Sequence, residues 1–196
     1  MEETFSASHH YRTGGTHIIE LYLDFACPFS ARMWHTVYTQ LVPEYRDFGL
    51  IFRHQIQPWH PSSLAMHEAA LAVARLAPHN FWRFCDALFA RQREFFDEAV
   101  VDLTRTQVYG RLADVAMSVN AVDDRLELLQ LLDIQASDTP QNAGNVVTAH
   151  IKYYVRMGRT KGVHMSPTVF IDGERDDTVS SSWTVEQWAA RLNLKP

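Results

Sequence analysis

The sequence predicts one α/β domain that carries an all-helical insertion. Three observations predict it. The β-rich stretch "HIIELYLDF" at 17–25 runs into the helix-like "ARMWHTVYTQL" at 31–41. A second β-like stretch, "GLIFRHQIQPW", follows at 49–59 and completes a strand–helix–strand unit of the parallel kind. Helical patterning then fills 62–158 before a last strand, "PTVFIDG", at 167–173.

Each element has a local reason. The first strand is mostly apolar, as a strand buried on both faces should be. Pro28 opens the next helix, where its missing N–H costs nothing, and Pro43 limits it. Ser62 or Ser63 can cap "LAMHEAALAVARL", and "NFWRFCDALFARQ" puts Phe81, Phe84, Cys85, Leu88 and Phe89 on one face. Thr104 can cap "RTQVYGRLADVAMSV", with Asn120 at its end, and "DDRLELLQLLDIQ" is short and amphipathic. Thr139-Pro140 reads as a cap with proline at the first helical position, and Gly158 or Gly162 closes that helix. The last strand ends in an Asp-Gly turn, and Thr184 caps a C-terminal helix. The expected organisation is a flexible arm over 1–17, a sheet-bearing domain over 18–61 and 162–196, and the helical insertion over 62–161.

Composition excludes several classes. The chain has 196 residues, 46% of them apolar, enough for one ordinary core. A net charge of −5 with no Lys/Arg run gives no electrostatic footprint for nucleic acid. The apolar runs are too short to span a bilayer. The polar opening "MEETFSASHHYRTGG" lacks the basic and apolar regions of a signal peptide. With only Cys27 and Cys85, no disulfide framework is in view, so the cytoplasm is the expected compartment.

"FACPFSAR" at 25–32 places Cys27 where a strand hands over to a helix. First-turn N–H groups and the helix dipole stabilise an anion there, and the thiolate is the reactive form of cysteine. A free Cys is also among the most buried residues, so an inert core thiol is the competing reading. Ser166-Pro167 precedes the last strand; spacing alone does not choose between a cis and a trans peptide. His54, His60 and His67 straddle a strand end and a helix start without metal-site spacing, so no metal is expected. His9 and His10 fall in the arm.

"DFACPFS" followed far downstream by "VHMSPTVFIDG" resembles the thioredoxin fold, in its DsbA-like branch, over about residues 18–194. "FWRFCDALF" and "HPSSLAMHEAALAVARL" also look like DsbA-like helices. The resemblance implies that Cys27 is the nucleophile, with Pro28 and Phe29 tuning it. Pro167 matches a cis-proline facing the thiol, and Ser166 the residue whose backbone pairs with a bound peptide or glutathione. Asp24 matches an acidic position common in the DsbA-like and kappa-class glutathione transferase branches. His164, three residues before Pro167, either folds back toward Cys27 or faces solvent.

Two departures shape the functional expectation. Ser30 stands where a resolving cysteine would be, so Cys27 can form a mixed disulfide but no internal one at this motif. Leu21 stands where the family carries a buried acid. The expected function is a monothiol thiol–disulfide oxidoreductase acting on a protein or glutathione disulfide. It holds no tight cofactor, has glutathione as candidate co-substrate, and uses Ser30 as hydrogen-bond donor to the Cys27 thiolate. The alternatives are a thioredoxin-fold protein that retains clients, a kappa-class-like transferase or isomerase, and a remote iron–sulfur binding role. Cys85 shares a helix stripe with Phe81 and Leu88, which favours core packing over a role as resolver.

Overall fold

The structure is a computed structural model that describes residues 9–134 and 138–195. Strands β1 (His10–Arg12) and β2 (His17–Leu23) come first. Helix α1 opens at Pro28–Trp34, continues through a π-helical stretch at His35–Leu41 and closes at Val42–Glu44. After β3 (Phe48–His54) the insertion provides α2 (Ser63–Leu76), α3 (Phe81–Ala90), the short α4 (Asp97–Val100), α5 (Arg105–Ser118), α6 (Arg125–Leu132) and α7 (Thr148–Thr160). The chain returns through β4 (Thr168–Ile171) and β5 (Glu174–Arg175) and ends in α8 (Val185–Arg191).

The strands form one sheet in the order β1-β3-β2-β4-β5. β2 and β3 run parallel, with Leu21 opposite Phe52, as the strand–helix–strand reading requires. β4 lies antiparallel on the other side of β2, with Val169 opposite Leu21. Strand alternation then sorts the side chains. Ile19, Leu21, Leu23, Leu50, Phe52 and Val169 enter the main core. Tyr22 and Phe170 join Val163 on the opposite face, where Glu20 pairs with Arg53 and Lys161. Asp172 and Gly173 both take positive φ, the requirement of a two-residue Asp-Gly hairpin turn into β5.

The inserted helices share this core instead of building their own. Phe81, Phe84, Cys85 and Leu88 are fully buried in one cluster with the sheet residues. Trp34 of α1 stacks on Trp82 of α3 at 5.5 Å and donates its indole N–H to Asp86 at 2.8 Å. Thr104 and Thr184 close capping boxes, and Asn120 ends α5 with φ 50°.

Three expectations need correction. Ser62 and Ser63 do not cap α2; their hydroxyls donate to the Phe95 carbonyl and the Asp24 carboxylate. Thr139-Pro140 opens no helix: Asn142 and Gly144 take left-handed φ of 53° and 79°, and α7 starts only at Thr148. The arm expected over 1–17 is in part a strand. β1 pairs antiparallel with β3, and the Arg12 guanidinium donates to the Tyr45 and Val42 carbonyls at the end of α1. Residues 1–8 lie outside the described residues.

Beside β1 a row of buried imidazoles crosses the core. His9 Nε2 lies 2.8 Å from His54 Nε2, and His54 Nδ1 lies 2.6 Å from His67 Nδ1. A neutral imidazole has one N–H and one lone pair, so His54 must donate at one end and accept at the other. The row therefore ties the residue before β1 to the end of β3 and to α2 with a single polarity. Burial pushes His54 well below the ordinary histidine value, and the neighbouring His67, His9 and His150 push in the same direction.

Two outcomes follow for stability. The unfolded chain protonates His54 near the ordinary value of 6.5, whereas the folded chain does so only at lower pH. The His54 contribution to stability is therefore full above about pH 6.5 and falls as pH drops below it, by up to about 1.4 kcal/mol per pH unit for one proton. In His54→Gln, urea midpoints measured from about pH 7.5 to about pH 5 should fall less steeply than in the wild type; an equal slope would refute the neutral-imidazole account. Gly15 sits at φ 120°, and a Cβ there would lie 2.5 Å from the backbone of Phe48. Gly15→Ala should cost about 2 kcal/mol or more, read as a lower urea midpoint, and an unchanged midpoint would contradict the packing described.

Candidate active site

β2 stops at Leu23, and the chain turns through 24–27, with the Cys27 N–H donating to the Asp24 carbonyl at 3.1 Å. Cys27 is the N-cap of α1 in extended backbone, and Pro28 takes the first helical position. The sulfur thus stands at the N-terminal end of a helix, where backbone N–H groups face an anion. It is nearly enclosed, with Cys27 only 4% exposed. Its S–H donates to the Ser166 carbonyl at 3.4 Å. The Ser166–Pro167 peptide is cis. The Ser166 hydroxyl is buried and finds no partner among the described residues. Phe29, two residues after Cys27, and Met165, just before Ser166, are 56% and 65% exposed, an apolar rim beside an enclosed sulfur.

The other candidates fall as follows. Pro28 is exposed and Pro167 half-buried. His164 is exposed, and no hydrogen bond joins it to Cys27; the Ser166 carbonyl takes that place. Ser30 is fully buried, and its hydroxyl accepts the Asp24 N–H at 3.3 Å. It makes no hydrogen bond to the Cys27 sulfur, contrary to the expected donation, because the helix start folds it under the end of β2. Both cysteines are free. Cys85 is sealed in the core, and burial, with the Asp86 carboxylate beside it, pushes its thiol well up. Leu21 is buried core, so no acid lies at that point of β2.

The buried acid of this site is Asp24, which has no exposed surface. Its carboxylate accepts from the Ala26 N–H at 3.0 Å, the Ser63 hydroxyl at 2.8 Å and His60 Nδ1 at 2.7 Å. His67 Nε2 stands 3.5 Å from the same carboxylate. Burial alone would raise the Asp24 carboxyl; His67, His60 and the Ala26 N–H outweigh it and hold the group below its ordinary value. The three histidines that sequence spacing left scattered are thus joined, His60 and His67 at Asp24 and His54 through His67. Among the described residues no group of three or more His, Cys, Asp or Glu is arranged to hold a metal ion.

One further residue escaped the sequence reading. Gln92, in the single turn Gln92–Phe95 after α3, donates its amide to the Phe25 carbonyl at 2.9 Å and the Cys27 carbonyl at 3.3 Å. The insertion therefore holds the nucleophile turn directly. No composition or spacing signal marks Gln92; a glutamine in a helical stretch reads as surface.

Comparison with known proteins agrees with this geometry. The family model described as thioredoxin matches residues 13–193. No protein of curated function matches the sequence. Among solved structures, a Pseudomonas syringae protein provisionally described as a protein-disulfide isomerase is similar at TM-score 0.75 and 21% identity, over 96% of this chain and 99% of that one. BdbD of Bacillus subtilis is similar at TM-score 0.72 and 14% identity, over 93% and 88%. The thiol-disulfide exchange protein α-DsbA2 of Wolbachia pipientis is similar at TM-score 0.64 and 18% identity, over 93% and 83%. With a parallel β2–β3 pair, an insertion of helices and a cis-proline loop set against a helix-capping cysteine, the chain belongs to the thioredoxin family and has its DsbA-like fold.

Proposed function

We propose that this protein is a monothiol thiol–disulfide oxidoreductase whose covalent intermediate is a mixed disulfide on Cys27. One observation carries the reading: the Cys27 sulfur caps a helix and faces the carbonyl of the cis-proline loop, while position 30 beside it holds a buried serine. The Cys27 thiolate attacks a disulfide; one S–S bond forms, one breaks, and a thiol leaves. Ser30 offers no second sulfur and Cys85 lies sealed in the core, so an external thiol must close the cycle. Glutathione is the candidate for that thiol. The exposed Phe29 and Met165 suit an extended peptide lying beside the loop.

The near enclosure of Cys27 favours a second reading, a scaffold that retains its clients, because resolution needs an incoming thiol to reach the buried sulfur.

Intact mass after oxidised and then reduced glutathione separates the two. Wild type should gain one glutathione and lose it again, and Cys27→Ser should gain none. An adduct that resists reduced glutathione would favour retention, and an adduct on Cys27→Ser would refute both readings. Ser30→Cys should restore an internal disulfide with Cys27, since residues one helical turn apart lie within about 7 Å at Cα. The oxidised variant should weigh two hydrogens less than the reduced one and should no longer accumulate the glutathione adduct; a persistent adduct would mean that position 30 cannot reach the sulfur.

A further inference from the structure

The Asp24–His60 pair has a geometry that the steps above leave unused. His60 Nδ1 donates to the Asp24 carboxylate at 2.7 Å, and Asp24 is fully buried. A buried carboxylate that fixes one ring nitrogen sets the tautomer, so Nε2 carries the exchangeable lone pair. The His60 side chain is 21% exposed, so this end of the network, unlike His67, is open to solvent. It opens into a cavity of about 170 Å³ lined by Ala26, Pro28, His60, Phe95, Phe96, Asp97 and Glu98. Ala26 and Pro28 are the two neighbours of Cys27. The volume suits the thiol-bearing end of one residue. An oriented imidazole therefore shares a small cavity with the residues flanking the reactive sulfur.

We infer that His60 is a catalytic residue that moves the proton of the thiol exchanged at Cys27, with Asp24 as its positioning residue; this rests on the oxidoreductase reading above. When the Cys27 thiolate attacks an alkyl disulfide, a bond forms between Cys27 and one sulfur and the original S–S bond breaks. Before the attack the Cys27 S–H proton passes to Nε2 of His60, whose charge Asp24 balances, and the departing thiolate then takes that proton from Nε2–H. In resolution Nε2 removes the S–H proton of the incoming thiol. That thiol's sulfur bonds to the substrate sulfur, and Cys27 leaves as thiolate. A monothiol enzyme needs such a group more than a dithiol one, because each exchanged thiol comes from solution with its proton.

The test compares two leaving groups. A nitrothiobenzoate disulfide releases a thiolate that needs no proton at neutral pH, whereas hydroxyethyl disulfide releases an alkyl thiolate that does. The rate of Cys27 mixed-disulfide formation is measured with each probe on full-length protein. In His60→Gln the ratio of the hydroxyethyl rate to the nitrothiobenzoate rate should fall at least about tenfold. In His60→Ala added imidazole should raise that ratio again, which lost packing alone would not allow. A ratio equal to the wild type's, or a lowered ratio that imidazole leaves unmoved, overturns the role of His60 and leaves Cys27 as the nucleophile. A wild type whose Cys27 reacts with neither probe overturns the oxidoreductase reading itself.

Discussion

The site depends on a carboxylate buried at the end of β2. Taking an ion out of water costs several kcal/mol unless hydrogen bonds replace the lost solvent. Asp24 recovers that cost from the Ala26 N–H, the Ser63 hydroxyl and the His60 imidazole, with His67 close by. Its own N–H goes to Ser30. These contacts come from the nucleophile turn, the loop after β3, and helices α1 and α2. Satisfying one charge therefore fixes the strand end, the helix start and the first inserted helix relative to one another.

The insertion is part of the same machinery. Gln92 hydrogen-bonds the carbonyls on either side of Ala26, and Trp34 bonds Asp86 across the α1–α3 contact. A helical block with a core of its own could shift as a body. Here Phe81 and Phe84 lie in the core that also holds Leu21 and Phe52, so movement of the block would open a cavity under the sheet. The nucleophile turn is thus held from both sides, by the cis-proline loop and by the insertion.

Much of this was legible in the sequence. β2, β3 and β4, the caps Thr104 and Thr184, the buried stripe of α3 and the positions of Cys27 and Pro167 all follow from periodicity, turn chemistry and the strand-to-helix proline. What failed to show has a common cause. β1 is three residues in a polar stretch, and its pairing depends on Arg12 reaching the end of α1. Ser62 and Ser63 carry a capping pattern that tertiary partners override. His54, His60 and His67 have no motif spacing, because Asp24 and His9, the residues that join them, lie far away in the chain. Local rules find elements; they do not find partners supplied by another element.

The cover over the sulfur has a consequence during synthesis. Cys27 and the Ser166 carbonyl that faces it are 139 residues apart, with the whole insertion between them. A nascent chain therefore presents the thiol and its helix start long before the loop that shields it has been made. Contacts of such long sequence separation also form slowly once the chain is complete. For that interval the cysteine is open to any oxidant or foreign thiol nearby, so newly made molecules are more vulnerable to adventitious modification than mature ones.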